Sequence, residues 1–369
     1  MSDTIQGSTI QGDATQGGLA RDDYESTLQG ADSSVAAFER RHSAIDRMQH
    51  FLHGNPAMVP VIILAVAVAV FGMIVPDRFF TAFNLTLILQ QVSIVGILAA
   101  AQTLVILTAG IDLSVGAIMV LSYVVMGQLG VVHNVPALLA IAAGLLVGTL
   151  CGAFNGLLVT RLKLPPFIAT LGTWRIFLAI VFLYTGSQSI RSQDIDATAP
   201  MLKLFGERVS MGGAVVTFGV FLMIATFAVL WYVLNNTAWG RHVYAVGDDR
   251  DAADLAGIQT GRTLVSVYAV AGLICAIAGW AAIGRVGSVS PSSFAEANLE
   301  SITAVVIGGT SLFGGRGAIL GSLFGALIVG VFTSGLKLAG ADPQWVLFAI
   351  GGLILLAVAI DQWIRKIAA

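Results

Sequence analysis

Long apolar stretches separated by short polar segments constrain this chain more than any other feature of its sequence. An α-helix needs about 20 apolar residues to cross a hydrocarbon core of about 30 Å. Only 11% of the residues are charged, whereas soluble domains carry about a quarter. The sequence therefore predicts an all-α polytopic membrane protein with about ten transmembrane helices. The predicted spans are residues 57–75, 84–108, 113–133, 136–160, 165–185, 213–234, 263–284, 299–313, 317–336 and 343–364.

The eighth of these spans is short, which is typical of a half-helix or a re-entrant element. Such an element is tolerated in a membrane only where protein or a water-filled cavity covers its free backbone groups. We therefore expect residues 299–313 to be surrounded by other helices.

The distribution of basic residues predicts how the chain is oriented, because cytoplasmic segments carry an excess of Lys and Arg. With ten spans and an inner N-terminus, twelve of the 19 Lys and Arg residues fall on inner segments and six on outer segments. Both termini are then cytoplasmic. The transmembrane domain covers residues 54–369, with a cytoplasmic loop at 239–262 and a periplasmic loop at 186–212.

The first 53 residues lack a membrane span. Residues 1–35 are rich in Gly, Gln, Ser, Thr and Asp and bury too little apolar surface to fold, so they predict a disordered cytoplasmic tail. Residues 36–53 place Phe38, Ile45 and Met48 on one helical face. This pattern predicts an amphipathic helix lying on membrane lipid, and a solvated charged helix is the alternative.

The densest cluster of charges beyond residue 50 lies in the stretch WGRHVYAVGDDRDAADLAGIQTGR, Trp239 to Arg262. An Asp at the N-cap, acidic residues in the first turn and Gly257 at the end predict a short capped helix. Its rigidity and its slim apolar face, formed by Ala252, Ala253, Leu255 and Ala256, suit it for insertion into a groove on a partner. Gly247 and Gly257 are then pivots at its two ends. The alternative is a solvated turn that joins two spans.

The same stretch, together with LTAGIDLSVGAIMVLS at 107–122 and ITAVVIGGTSLFGGRGAILG at 302–321, resembles the sugar-import permeases of ATP-binding-cassette transporters. The similarity runs from Phe51 to the C-terminus, lies within the ribose, xylose and fructose group, and is greatest to fructose-type permeases. It implies a bacterial inner-membrane protein that moves a monosaccharide. The residues that would couple it to the ATPase are Gly247, Asp248, Asp249, Asp251, Ala252, Ala253, Leu255 and Gly257.

The resemblance also implies partners. They are a cytoplasmic cassette ATPase with two domains fused in one polypeptide, a periplasmic sugar-binding protein and a second copy of this chain. The sequence itself has no P-loop, because the run GGTSLFGGRG lacks the Gly-Lys-Ser/Thr ending that binds phosphates. ATP must therefore be hydrolysed on another chain.

Catalytic, metal and nucleic-acid functions find little support in the sequence. HExxH, CxxC and GxSxG motifs are absent, the five histidines do not cluster, and the formal charge is −2. We therefore expect no enzyme activity, no cofactor, no metal site and no nucleic-acid partner. Two alternatives to an ATP-driven permease remain. A secondary sugar transporter would need intramembrane acids and bases, and a membrane-embedded enzyme would need clustered titratable groups.

Asp112 is a carboxylate between two long apolar runs, and it has two interpretations. A buried intramembrane acid is by default functional, but Asp is also a good N-cap for a helix that begins at Leu113. Further candidates for the translocation path are polar or aromatic residues inside predicted spans. For each of them, hydrogen bonding between helices is the alternative. They are Gln102, Asn155, Thr170, Trp174 and Arg175.

Two smaller features complete the sequence prediction. Gly314 to Gly317 places three glycines around Arg316, which predicts either a tight turn or a contact surface for the ATPase. Glu296 and Glu300 share a helical face just outside the eighth span and are either a seat for a soluble partner or solvated. Thr103 and Val105 are echoed at Thr303 and Val305, which hints at an internal duplication.

Overall fold

Apolar helices dominate the computed structural model, which describes residues 58–211 and 213–368. The predicted tail at 1–35 and the predicted interfacial helix at 36–53 lie outside the described residues. In chain order the helices are α1 (Met58–Ile74), α2 (Pro76–Phe79), α3 (Ala82–Leu107), α4 (Val115–Gly127), α5 (Ala137–Arg161), α6 (Pro166–Thr185), α7 (Ser192–Thr198), α8 (Phe218–Asn236), α9 (Ala238–Asp248), α10 (Arg250–Leu255), α11 (Thr260–Val286), α12 (Ala297–Ile307), α13 (Ile319–Leu338) and α14 (Pro343–Ala368).

Each of the ten predicted spans corresponds to one of these helices. Within the described residues, seven helices are long and apolar enough to cross a membrane, counting α4 together with the π-helical turn that extends it to Val132. Helices α1 and α12 and the apolar part of α14 are shorter. The prediction of an all-α polytopic fold is therefore confirmed, and so is the shortness of the eighth span, since α12 has only 11 residues.

The polar loop predicted at 186–212 is more structured than expected. It contains α7, a 3₁₀ helix at Pro200–Gly206 and the strand β1 (Arg208–Met211), which pairs in antiparallel fashion with β2 (Ala214–Thr217). The predicted span at 213–234 was therefore wrong at its start, because helix α8 begins only at Phe218. A short run of apolar β-branched residues fits a strand as well as the first turn of a helix, and only its pairing decides between them.

Glycines bring α5 and α11 into backbone contact. Gly148, Gly152 and Gly156 recur at every fourth position of α5 and lie on the face toward α11. A Cβ at Gly152 would collide with the carbonyl oxygen of Tyr268 and would lie 3.0 Å from the Cα of Gly272. Small residues at this spacing allow membrane helices to pack closely where no hydrophobic effect draws them together. The pair therefore fixes α11 against the bundle.

Two helices in the bundle end in the same way at the same end of the molecule. After α3, the N–H of Gly110 donates to the carbonyl oxygen of Val105, and Ala109 has a φ of 59°. After α12, the N–H of Thr310 donates to Val305, and Gly309 has a φ of 77°. Both are left-handed helix ends of the Schellman kind. The echo between residues 103–105 and 303–305 thus extends to the backbone, and each end leads into a non-helical segment.

The charged stretch after α8 forms two helices instead of the single short one expected. Thr237 caps α9 by accepting from the N–H of Gly240 at 3.2 Å, and α9 is amphipathic. Its last turn packs onto the ends described above. Gly247 lies against the carbonyl oxygen of Leu107, which accepts from the N–H of Gly315 at 3.0 Å. The expectation that Gly247 is a pivot was therefore wrong, because it is buried inside a helix and backbone surrounds it.

Gly247→Ala should destabilise the protein, because the added methyl group would collide with the Leu107 carbonyl and lie 2.7 Å from the Gly315 nitrogen. Overpacking of this kind costs about 1–3 kcal/mol. Gly172→Ala is the matched control, since Gly172 lies within α6 and a Cβ there meets nothing within 4 Å. The measurement is the thermal unfolding midpoint of both purified variants in detergent. Equal midpoints for the two variants would contradict the packing described here.

Candidate functional site

The non-helical segment after α3 is buried and is organised by Asp112. The carboxylate is only 1% exposed. Its Oδ1 accepts from the backbone N–H of Ser114 at 2.7 Å and from the Ser114 hydroxyl at 2.6 Å. Helix α4 begins one residue later, at Val115. The expected start at Leu113 was therefore wrong by two residues, and so was the expected N-cap, because Ser114 is the N-cap residue and its side chain forms no capping bond. Asp112 instead holds the backbone and the hydroxyl of that N-cap residue.

Four surrounding helices hydrogen-bond to this segment. The Gln102 amide of α3 pairs with the backbone of Asp112, donating to its carbonyl at 3.0 Å and accepting from its N–H at 3.3 Å. Asn155 of α5 donates to the Ser114 hydroxyl at 2.7 Å. On the other side the Thr170 hydroxyl of α6 accepts from the N–H of Leu113 at 3.1 Å, and Asn298 of α12 donates to the Leu113 carbonyl at 3.2 Å.

This arrangement, hereafter the 111–114 clamp, gathers four of the six residues predicted for the translocation path. All four are buried. Gln102, Asp112 and Thr170 bind backbone groups, and Asn155 donates to the Ser114 hydroxyl. Hydrogen bonding between parts of the protein, the alternative interpretation of Gln102, Asn155 and Thr170, accounts for each of these three. Their role is to satisfy a segment that has no helical partners of its own.

The other two predicted residues line a cavity of about 280 Å³ beside the clamp. Trp174 and Arg175 of α6 face it from one side, Gly116 and Val120 of α4 from another, and Asn298 from a third. The Arg175 guanidinium carbon lies 4.7 Å from the centroid of the Trp174 ring, which is a cation–π contact. The cavity thus offers an aromatic face, a cation and an amide to a polar ligand.

Sequence reasoning found only Trp174 and Arg175 among the residues that line this cavity, and two of the missed ones are informative. Asn298 belongs both to the clamp and to the cavity wall. An amide within the apolar helix ANLESITAVVI was the available signal. Phe294 has a φ of 61°, a conformation that bulky residues rarely adopt, and its ring meets that of Tyr123 edge to face at 6.3 Å. No sequence pattern announces it, since the segment 287–296 is neither helix nor strand. Strained residues of this kind cluster at functional sites.

Beside the ends of α3 and α12, helices α9 and α10 form a surface on which the predicted coupling residues lie. Asp249 caps α10, with its Oδ1 accepting from the N–H groups of Asp251 and Ala252 at 2.9 Å each. Gly257, with a φ of 84°, ends the segment. The predicted short capped helix is therefore present. The exposed members of the predicted set are Asp248, Asp249, Asp251, Ala252, Leu255 and Gly257.

The assignment of Ala253 to the exposed face was wrong. Ala253 is only 4% exposed and packs with Val246 of α9 and Leu264 of α11. A helix of six residues has few side chains with which to pack against the bundle, and in α10 Ala253 is the one that does so. Leu255, by contrast, is 91% exposed. It is therefore the apolar side chain that this surface presents outward.

Helix α9 is also tied to the segment after α12. The Tyr244 hydroxyl donates to the carbonyl oxygen of Gly317 at 2.9 Å. Burial raises the pKa of the Tyr244 phenol, so the hydroxyl keeps its proton and remains a donor. The predicted turn at 314–317 is present, since Gly314, Gly315 and Gly317 all have positive φ. The α9–α10 surface is thus connected to both non-helical segments.

Comparison with known proteins identifies the family. The model for the branched-chain amino acid transport system permease component matches residues 84–358. The chain belongs to this permease family. It is 60% identical over 348 residues to the fructose import permease protein of Rhizobium meliloti, covering 94% of this chain and 97% of that one. It is 38% identical over 301 residues to the ribose import permease protein of Escherichia coli strain K12, covering 82% and 92%. No solved structure matches the chain.

Membership in this permease family confirms the resemblance inferred from the sequence. A D-allose transport system permease protein of Escherichia coli strain K12 is 35% identical over 304 residues, covering 82% of this chain and 91% of that one. These relatives are named as permeases and not as enzymes. The permease is a multi-pass membrane protein, in agreement with its apolar helices.

Asp112→Asn should preserve both folding and transport, because a single amide oxygen can accept both bonds that Oδ1 now accepts from Ser114. Asp112→Ala should lose about 1–3 kcal/mol, since it leaves buried donors unpaired. The measurements are the unfolding midpoint of each purified variant and its transport rate. A well-folded Asp112→Asn protein without transport would show that the carboxylate charge itself is needed.

Proposed function

We propose that this chain is the transmembrane permease subunit of an ATP-driven importer of a monosaccharide, fructose or a similar sugar, in a bacterial inner membrane. The observation that carries the proposal is the position of α9. Its last turn contacts Leu107 at the end of α3 and Gly315 in the non-helical segment after α12. Relatives named as fructose, ribose and allose permeases support the sugar as cargo.

The path for the sugar in this proposal passes through the cavity beside the 111–114 clamp. A sugar ring stacks its C–H groups on an aromatic face and exchanges hydrogen bonds with polar groups through its hydroxyls. Trp174 supplies the face, and Arg175 and Asn298 supply donors. A secondary transporter would instead need a titratable group on the path. Among the described residues, Asp112 is the one buried carboxylate, and it already accepts hydrogen bonds from Ser114.

Coupling in this proposal runs from the exposed α10 to the cavity through backbone contacts. An ATPase that grips Leu255 moves α10, and Ala253 and Val246 carry the displacement to α9. Gly247 then presses on Leu107 and Gly315 without compressible side chains between them. From Leu107 the chain leads through the clamp to Gly116 at the cavity wall. Rigid elements with direct backbone contact transmit such a shift with little loss.

Partners follow from the same proposal. The chain has no P-loop, so a cytoplasmic cassette ATPase, with two fused domains, supplies the energy. A periplasmic sugar-binding protein delivers the substrate, and a second copy of this chain completes the path. In this arrangement α9 and α10 lie in the cytoplasm together with both termini, and residues 186–212 lie in the periplasm.

Membrane-impermeant thiol labelling in intact cells tests the orientation. A cysteine at Gln193, which is exposed on α7, should react from outside. A cysteine at Arg250, exposed on α10, should react only after the membrane is permeabilised. Position 195 is unsuitable because Ile195 is fully buried. The reverse labelling pattern would invert the proposed topology.

Trp174→Ala should reduce sugar uptake, because an aromatic contact contributes about 1 kcal/mol, or roughly fivefold in affinity. Trp174→Phe keeps an aromatic face and should retain most of the uptake. Leu183→Ala on the same helix is the control, since Leu183 is 83% exposed and does not line the cavity. Uptake of labelled fructose is measured at equal amounts of permease in the membrane. Normal uptake by Trp174→Ala would remove this residue from the path.

Leu255→Ser should uncouple ATP hydrolysis from uptake while leaving the fold intact. Burial of one leucine at an interface contributes about 1.5–3 kcal/mol, so binding of the ATPase should weaken roughly tenfold or more. Leu162→Ser is the matched control, because Leu162 is 63% exposed at the same end of the molecule but lies outside α10. Both variants are reconstituted in vesicles with the ATPase. Wild-type uptake and stimulated hydrolysis in Leu255→Ser would refute the coupling assignment.

A further inference from the structure

A groove of about 470 Å³ opens between the end of α5 and the start of α11, at the same end of the bundle as α9. Two cationic side chains line it, Arg161 from the last turn of α5 and Arg262 from the first turn of α11. The 111–114 clamp and the sugar cavity share no lining residue with it. Neither the family membership nor the proposed function therefore explains why this groove exists.

The two guanidinium groups have donors to spare. In the described part of the chain, no carboxylate forms an ion pair with Arg161 or Arg262. The one ion pair among the described residues joins Lys203 and Asp196, outside the groove. Arg262 donates through Nη1 to the Gln259 amide oxygen at 2.6 Å, which leaves its other nitrogens available. Guanidinium groups bind phosphate oxygens with two parallel hydrogen bonds. The charge of the groove therefore selects an anion.

The rest of the lining is mainly apolar. Leu157, Val265 and Ala269 form a wall that extends from the arginines along the lengths of α5 and α11. Along α5 this wall is continuous with Phe154 and Leu150, which are 46% and 56% exposed on the outer surface of the helix. A free inorganic anion gains nothing from such a wall. A molecule with an anionic head and an apolar tail matches both halves of it.

An aromatic side chain marks the level of the groove in the membrane. Trp239 donates through its indole N–H at 2.8 Å to the hydroxyl of Ser266, one of the groove-lining residues. Tryptophan is enriched where a membrane meets water, because its ring is apolar and its N–H is polar. A Trp in contact with the groove is therefore consistent with arginines that face lipid headgroups.

We propose that this groove binds one anionic phospholipid, with the phosphodiester held by Arg161 and Arg262 and an acyl chain along Leu157 and Val265. Basic pockets between membrane helices are suited to such headgroups. The bound lipid would pack the start of α11, which follows directly on the α9–α10 surface. The inference needs only a membrane-spanning chain, so it stands independently of the sugar and of the ATPase.

The test is native mass spectrometry of the full chain purified in detergent and titrated with phosphatidylglycerol or phosphatidylcholine. The wild-type protein should retain one phosphatidylglycerol at least tenfold more tightly than phosphatidylcholine. Arg161→Gln combined with Arg262→Gln should abolish this preference. Lys163→Gln combined with Arg250→Gln is the matched control, because it removes two cations from the same end that do not line the groove. If the Gln pair does not fold, Arg161→Lys with Arg262→Lys should keep the preference but weaken it.

Several outcomes would overturn the proposal. Equal retention of the two lipids, or unchanged retention by the arginine variants, would show that the groove does not select an anionic headgroup. Displacement of phosphatidylglycerol by millimolar inorganic phosphate would show a site for a free anion. Loss of ATPase binding with normal lipid retention in the arginine variants would show that the groove is a protein contact. The lipid titration contains neither sugar nor ATPase, and ATPase binding by the same variants is measured separately, so failure of the lipid titration leaves the proposed function untouched.

Discussion

Every backbone N–H and C=O group inside a bilayer must find a partner within the protein, and this requirement governs how the permease can be built. A continuous helix meets the requirement by itself. Residues 108–114 do not, because the chain leaves α3 at Leu107 and resumes a helix only at Val115. The side chains of Gln102, Thr170 and Asn298, from three helices, supply partners for its backbone groups, and Asn155 from a fourth helix donates to the Ser114 hydroxyl. An interruption of this kind is stable only because the surrounding helices are already in place.

That dependence also makes the interruption sensitive to how the surrounding helices are positioned. A segment held by side chains from four helices responds when any of the four moves, whereas a continuous helix resists bending along its whole length. The cavity with Trp174 and Arg175 lies beside the clamp, and Asn298 belongs to both. A change in the relative positions of α3, α6 and α12 therefore alters the cavity wall directly.

Glycine determines how closely the helices of the bundle can approach one another. Gly247 allows α9 to contact the Leu107 carbonyl, and Gly152 allows α5 to contact the backbone of α11. At both places any side chain would hold the backbones apart. Close backbone packing leaves little compressible material, and the proposed transmission of a displacement from α10 to the helix ends relies on this property. In that short helix Ala253 packs against the bundle, and the exposed Leu255 is the side chain that the proposed function assigns to the ATPase.

The sequence by itself determined the ten apolar helices that correspond to the predicted spans, and the brevity of α12. It also determined the Asp249 cap of α10, the end of that segment at Gly257 and the permease family. All of these depend on local composition or on residues a few positions apart, and apolar run length and capping chemistry report them directly. Only the tertiary structure decided that Gln102, Asp112, Asn155 and Thr170 form hydrogen bonds within the 111–114 clamp while Trp174 and Arg175 face a cavity. It also decided that Ala253 is buried, that 214–217 is a strand and that Asn298 completes the clamp. These outcomes depend on which helix lies opposite each side chain, and a polar residue in an apolar run looks the same whether it faces a ligand or another helix.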